Sequence, residues 1–181
     1  MLIQYIRNKI NGSSANTSNH WVQISAWDTN RSNQSLVDIS SNRAYGKAVS
    51  GSTSENPSYP YSRITNGNIN TSDYAASSSA GLQHVIINLG AIYDIDFIQI
   101  WHYYGDMRIY FQNSLEVSTD GITWIVIQNP TGNMIENSNG NTYTLKPADY
   151  DKLKITKKTQ LNLVEAINKV ESLRGFSTTS L

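Results

Sequence analysis

Short stretches rich in β-branched and aromatic residues recur along the first 145 positions, separated by polar turns and with no helical period between them. Leu2–Arg7 and Trp21–Trp27 read as two strands joined by the polar loop Asn11-Gly12-Ser13-Ser14. His84–Leu89 reads as a strand that stops at Gly90. Ile95–Tyr104 sets Ile95, Phe97, Gln99 and Trp101 against Asp96, Ile98, Ile100 and His102. Apolar residues fall on both of its faces, which predicts a central strand covered on both sides. Ile109–Ser118 follows, then the tight-turn pair Asp120-Gly121, then a return strand Ile122–Ile127, and Tyr143–Leu145 is the last. Ser50–Ala80, rich in Ser, Asn and Tyr, reads as long loops. Many short strands with no intervening helices predict an all-β sandwich or barrel.

The pattern changes after Leu145. Leu163, Ala166, Val170 and Leu173 follow a 3-4-3 spacing, one face of a helix. Asn162 with Glu165 resembles a capping box, and Gly175 is a stop signal. About three turns are too few to be stable alone, so this helix needs a surface to pack on. A narrow stripe of this type suits self-association or a partner better than its own domain. The expected organisation is therefore a sandwich over 1–145 and a linker with a short amphipathic helix over 146–181. The tail carries a net +3 and the rest −3.

Composition narrows the function. The chain of 181 residues has no cysteine, which removes disulfide scaffolds, cysteine zinc sites and thiol nucleophiles. Its formal net charge is zero, against broad electrostatic binding to nucleic acid or anionic lipid. Lys152, Lys154, Lys157 and Lys158 lack interleaved aromatics and read as a solvated linker. No apolar run is long enough to cross a bilayer, and the first seven residues are too short and polar for a signal peptide. Asn, Ser and Thr together make 57 residues, so neutral amides and hydroxyls carry solubility. Such residues favour turns and strands over helix interiors, a profile common in extracellular and virion β-proteins. Enzyme signatures are missing. His20, His84 and His102 have no metal-ligand spacing, and there is no nucleophile elbow or phosphate-binding glycine loop. Asp94, Asp96 and Glu116 sit where turns and solvent-facing strand positions are expected. The expectation is a non-enzymatic protein.

Four segments resemble the discoidin-like family, known also from the coagulation-factor C-type domains and galactose-binding modules. They are Asn42-Arg-Ala-Tyr-Gly-Lys-Ala-Val-Ser50, Ile64-Thr-Asn-Gly-Asn68, His84-Val-Ile-Ile-Asn-Leu-Gly90 and Leu115-Glu-Val-Ser-Thr-Asp-Gly-Ile-Thr-Trp124. The resemblance implies an eight-stranded jelly-roll β-sandwich. That family usually closes with a strand like Tyr5-Ile6-Arg7 and a last strand, which here come first, so the chain looks circularly permuted. Termini that lie close together at the surface make such a rearrangement acceptable. In the tail, Leu161-Asn-Leu-Val-Glu-Ala-Ile-Asn-Lys-Val170, preceded by Ile155-Thr-Lys-Lys, is similar to a segment of bacteriophage tail-fibre and baseplate proteins. It implies a virion location and other virion proteins as partners; a homo-oligomer through the helix is an expectation from the narrow apolar stripe alone.

Two candidate sites follow. Trp101–Tyr110 joins two central strands, so Tyr104–Arg108 should lie at one end of the sandwich, with Trp101 and Tyr103 packed inside. Aromatic rings stack on the apolar face of a sugar, and charged pairs bind its hydroxyls. His102, Tyr104, Asp106 and Arg108, joined by Tyr59, Tyr61 and Tyr74 from the long loops, are the expected carbohydrate-binding residues. Bland alternatives are a turn-stabilising Asp106–Arg108 pair and aromatics buried in the core. The second site comes from the resemblance, which places a structural calcium at the Arg63 carbonyl, Asn66, Asn68 and Thr71, with Gln23 where an acid often stands. Amides donate oxygen without charge, and calcium gains much of its affinity from carboxylates. A weak or absent calcium site is expected, its loop held by side-chain hydrogen bonds, with Asp73 close by. No cofactor is expected. The functional expectation is a bacteriophage virion protein, at tail fibre, baseplate or surface, that binds carbohydrate on the host cell. The alternative is a structural linker or decoration protein without glycan binding. An accessory domain of an enzyme is a third reading, disfavoured by the lack of a catalytic partner domain.

Overall fold

In a computed structural model, residues 1–28, 42–131 and 135–145 are described. Eight antiparallel strands form there: β1 (Leu2–Asn11), β2 (His20–Asp28), β3 (Val49–Gly51), β4 (Ala75–Ala76), β5 (Leu82–His102), β6 (Asn113–Ser118), β7 (Ile125–Thr131) and β8 (Asn141–Thr144). A five-residue 3-10 helix, Tyr61–Thr65, lies between β3 and β4. The expected tail helix, the linker lysines and the segment at 155–170 fall outside the described residues.

The long strand β5 organises the sheet. Its first half pairs with β1 on one edge (Ile6↔Ile87) and β3 on the other (Val49↔Ile87). Its second half pairs with β2 (Ile24↔Ile100) and β8 (Ile100↔Asn141). Between the halves, Gly90 takes φ +84°, a left-handed value that costs glycine little. The expected stop at Gly90 is therefore a bend within one strand. The first group of strands runs β3-β5-β1-β6-β7 and the second β4-β2-β5-β8. This is consistent with the expected β-sandwich. Tyr5–Arg7 lies inside the first group, paired to Ser118–Glu116 of β6.

Alternation places the core. Ile98, Ile100 and His102 of β5 face inward with Ile24 and Ala26 of β2, all fully buried. Ile6, Val85, Ile87, Leu115 and Val117 do the same in the other group. Burying each such aliphatic side chain contributes about 1.5–3 kcal/mol. The opposite face of β5 carries Phe97, Gln99 and Trp101, opposite Trp27, Ser25 and Gln23 of β2.

Two strands differ from the sequence reading. Before β6, Gln112 holds φ +51°, so Ile109 and Tyr110 make only single bridges and the strand starts at Asn113. The Asp120-Gly121 pair belongs to a longer loop. Ser118 Oγ accepts the Asp120 and Gly121 N–H groups, and Asp120 Oδ1 accepts those of Ile122 and Thr123. These bonds delay the return strand to Ile125 and hold the Asp120 carboxyl down at about 2. Glu116, expected to face solvent, is only 8% exposed. Arg7 and Lys9 close over it. Desolvation pushes its carboxyl up, but the bonds from Lys9 and Arg7 outweigh that and leave it below the usual range.

Candidate functional site

The end of the sheet where β2 begins and β5 finishes gathers an aromatic cluster. Tyr74, just before β4, stacks face to face on Tyr59 at 4.4 Å and 13°. The same ring meets His20 edge-on at 4.9 Å and Tyr103 at 5.6 Å. Arg108 lies over the Tyr103 ring at 4.5 Å, and Arg63 lies 5.6 Å from the Tyr59 ring. Tyr59, Tyr74, Tyr103 and Tyr104 are all half-buried, so each keeps part of its side chain open to solvent. Aromatic pairs of this kind add about 0.5–1.5 kcal/mol beyond their area, which fixes the platform without ligand. Desolvation, followed by the hydrogen bond with Tyr59, pushes the Tyr74 hydroxyl up to about 12.

Asp106 and Arg108 stand beside this platform as a bidentate pair at 2.8 and 2.7 Å. Their roles differ. The Asp106 side chain is 46% exposed, that of Arg108 8%. The third guanidinium nitrogen of Arg108 donates to His20 Nδ1 at 3.2 Å. Arg108 is thus a buried support, and Asp106 is the half of the pair that reaches outward. The bond from Arg108 holds the Asp106 carboxyl below its ordinary value. A guanidinium can only donate, so His20 Nδ1 is an acceptor and the neutral ring carries its proton on Nε2. Burial first, and Arg108 second, lower His20 to about 4. The site therefore presents a neutral imidazole and one fixed carboxylate at neutral pH.

Two further expected ligands lie in the interior. His102 is fully buried. Its Nδ1 bonds Glu136 Oε1 and its Nε2 bonds Asn8 Oδ1, both at 2.9 Å. Asn8 Oδ1 also accepts from Trp21 Nε1 at 2.8 Å, and Asn8 Nδ2 donates to Asn113 Oδ1 at 3.0 Å. Period-two alternation from Ile98 and Ile100 sends His102 into the core, where this network satisfies it. Tyr61 is also a core residue, 4% exposed, with its ring edge-on to Trp21 and pressed close to Gly51. Tyr104 stays at the rim, donating its hydroxyl to the Ile69 carbonyl at 2.7 Å. Trp101 is only 7% exposed but lies on the outer face of β5, across from Gln23, whereas Tyr103 belongs to the platform. Sequence reading also missed His20. Its only signal was its place at the head of a strand.

The calcium-like loop is held from within. Asn66 and Asn68 donate their Nδ2 groups to Asp73 Oδ2 at 2.8 and 2.9 Å. Arg63 Nε approaches Asp73 Oδ1 at 3.2 Å, and its Nη1 donates to the Tyr74 carbonyl. Asn66 Oδ1 accepts the Asn68 N–H, Asn68 Oδ1 that of Asn70, and Gln23 Oε1 that of Gly67. Thr71 is half-buried on the same loop. This donor set does not fit a calcium ion. The sole acid of the loop already faces a guanidinium and two amide N–H groups, and the amide oxygens are engaged with backbone. The positive charge beside Asp73 is the Arg63 guanidinium.

Comparison with known proteins adds one result. Among curated proteins, and among solved structures, nothing matches the chain. The sequence profile described as F5/8 type C domain matches residues 48–169, about two thirds of the length. The strand order, the bent β5 and the loop bonds described above belong to that matched segment and to the two strands before it. On this match, the chain belongs to the F5/8 type C domain family.

Proposed function

We propose that this protein is a non-enzymatic carbohydrate-binding module that serves host attachment on a bacteriophage virion. F5/8 type C domains form a family of carbohydrate- and ligand-binding modules, typically without catalysis of their own. The observation that carries the reading here is the platform itself. Tyr59, Tyr74 and Tyr103 offer half-open ring surface, and Asp106, fixed by Arg108, offers two acceptor oxygens beside it. A sugar presents an apolar ring face flanked by hydroxyl donors, which matches a convergent apolar surface with a few placed polar groups. The virion context rests on the likeness of residues 155–170 to tail-fibre and baseplate segments. The circular permutation of a jelly roll is part of the same proposal. It is supported by β1 and β2 preceding the matched segment while β1 sits between β5 and β6.

The test is a glycan array probed with the full chain, followed by adsorption to cell walls carrying the best hit. Saturable binding that free saccharide competes away is expected. A folded chain that binds no glycan, yet copurifies with virions, would replace this reading with that of a structural linker.

A further inference from the structure

A second concave surface lies on the outer face of β2 and β5. The register that sends Ile24 and Ile100 inward turns Gln23, Ser25, Gln99 and Trp101 outward, side by side. Together with Ile69 and Asn139 from flanking loops they line a cleft of about 540 Å³. That volume is within the usual range for small-ligand sites, about 300–1,000 Å³. Trp27 also lines it.

Three features point to the ligand. First, the described lining residues include no ionisable side chain, so a charged ligand would find no counter-charge there. The polar groups are amides and hydroxyls, which donate and accept, as a sugar hydroxyl does. Second, the floor is fixed in advance. Trp101 Nε1 donates to the Ser138 carbonyl at 3.1 Å, and Gln99 Nε2 to the Asn139 carbonyl at 2.8 Å. Gly140 lies so close to the Trp101 indole that a Cβ there would sit 2.6 Å from the ring. Third, the cleft shares a wall with the platform. Gly67 and Ile69 line it, and the same loop continues to Asp73 and Tyr74, with Tyr104 bonded to the Ile69 carbonyl.

From these features we infer that the cleft is a second saccharide subsite, selective for neutral sugar units. The inference rests on the carbohydrate-binding reading above and is separable from it, because the two sites carry different reporters. Trp101 and Trp27 line the cleft, whereas His20 sits in the platform. Trp21 in the core and Trp124 under Arg7 serve as internal controls.

The experiment is an NMR titration of the full chain with neutral hexose oligosaccharides of graded length, and with uronic-acid oligosaccharides of equal length. Indole N–H and His20 ring signals are followed together. Neutral oligosaccharides should shift the Trp101 and Trp27 indoles and leave those of Trp21 and Trp124 in place. Asn139→Trp, an exposed position, should fill the cleft, abolish the indole shifts and weaken oligosaccharide affinity at least tenfold, leaving the His20 response intact. His20 responding while the cleft indoles stay silent would overturn the inference and leave the platform reading standing. Cleft indoles responding while His20 stays silent would support the cleft and remove the platform. Silence in both would overturn both. Equal indole shifts with the uronic-acid series would overturn the selectivity for neutral units.

Discussion

His102→Ala separates a structural role from a binding one. The side chain is fully buried, and Glu136, its partner, is 1% exposed. Truncating a large buried side chain to alanine costs about 2–5 kcal/mol through lost packing and the cavity left behind. Glu136 Oε1 then loses its partner, and an unsatisfied buried polar group costs about 1–3 kcal/mol. Part of this is offset, because Glu136 Oε2 still accepts from Asn141 and Asn8 Oδ1 from Trp21. The expected loss is about 4 kcal/mol, a large share of the roughly 5–15 kcal/mol that holds an ordinary domain. Urea unfolding followed by fluorescence measures it as a fall in midpoint at unchanged slope. Glycan affinity of the folded fraction, measured well below that midpoint, should stay within about twofold of wild type, since 1.4 kcal/mol is tenfold and no ligand contact is lost. A loss of stability under about 1 kcal/mol, or a tenfold loss of affinity at unchanged stability, would refute the reasoning and return His102 to the ligand surface.

Three further outcomes are expected. His20 is held at about 4, below the ordinary 6.5, so the unfolded chain binds its proton more readily than the folded one. The stability this gives is complete above pH 6.5 and is lost as pH falls towards 4; melting curves of His20→Gln should lack that acid slope, and parallel curves would contradict it. Asp106→Asn removes the counter-charge of a buried guanidinium whose partner is itself half-exposed, so the cost should be about 1–2 kcal/mol, between surface and buried pairs; an unmoved urea midpoint would contradict this. Chelation should leave the melting temperature within about 1 °C, because Arg63, Asn66 and Asn68 already engage the Asp73 carboxylate; a rise of several degrees with added calcium, approaching the stabilisation a tight ligand gives, would contradict the fit argued for that loop.

Much of the architecture was legible from residue pattern. The strands around Ile24, Ile87, Ile100 and Val117 follow period-two alternation, and one buried face fixes register strongly. What failed was punctuation. Gly90 reads as a stop, yet a glycine at positive φ serves as well for a bend that lets one strand pair in both groups. Asp120-Gly121 reads as a two-residue turn, yet Ser118 and Asp120 cap several N–H groups and lengthen it. The site was half legible for a related reason. Tyr59, Tyr74, Asp106 and Arg108 were named from composition and loop position. Which of them point outward depends on burial, which a single sequence leaves open. His102 and Arg108 show this, since polar residues can be buried wherever partners meet them. His20 joined the site through its long-range neighbour Arg108, a contact that no local pattern encodes. The amides at Asn66 and Asn68 were readable as a loop held by side-chain hydrogen bonds. That Arg63 supplies the positive charge beside Asp73 required the fold.

The platform is tested most directly by the affinity of Tyr74→Ala for the glycan that wild type selects. Tyr74 touches Tyr59, His20 and Tyr103 at once, so its ring is the centre of the proposed surface. A loss of tenfold or more, with unfolding still cooperative and stability reduced by no more than about 2 kcal/mol, is the predicted result. Unchanged affinity in a folded Tyr74→Ala chain would contradict it and place ligand binding elsewhere on the molecule.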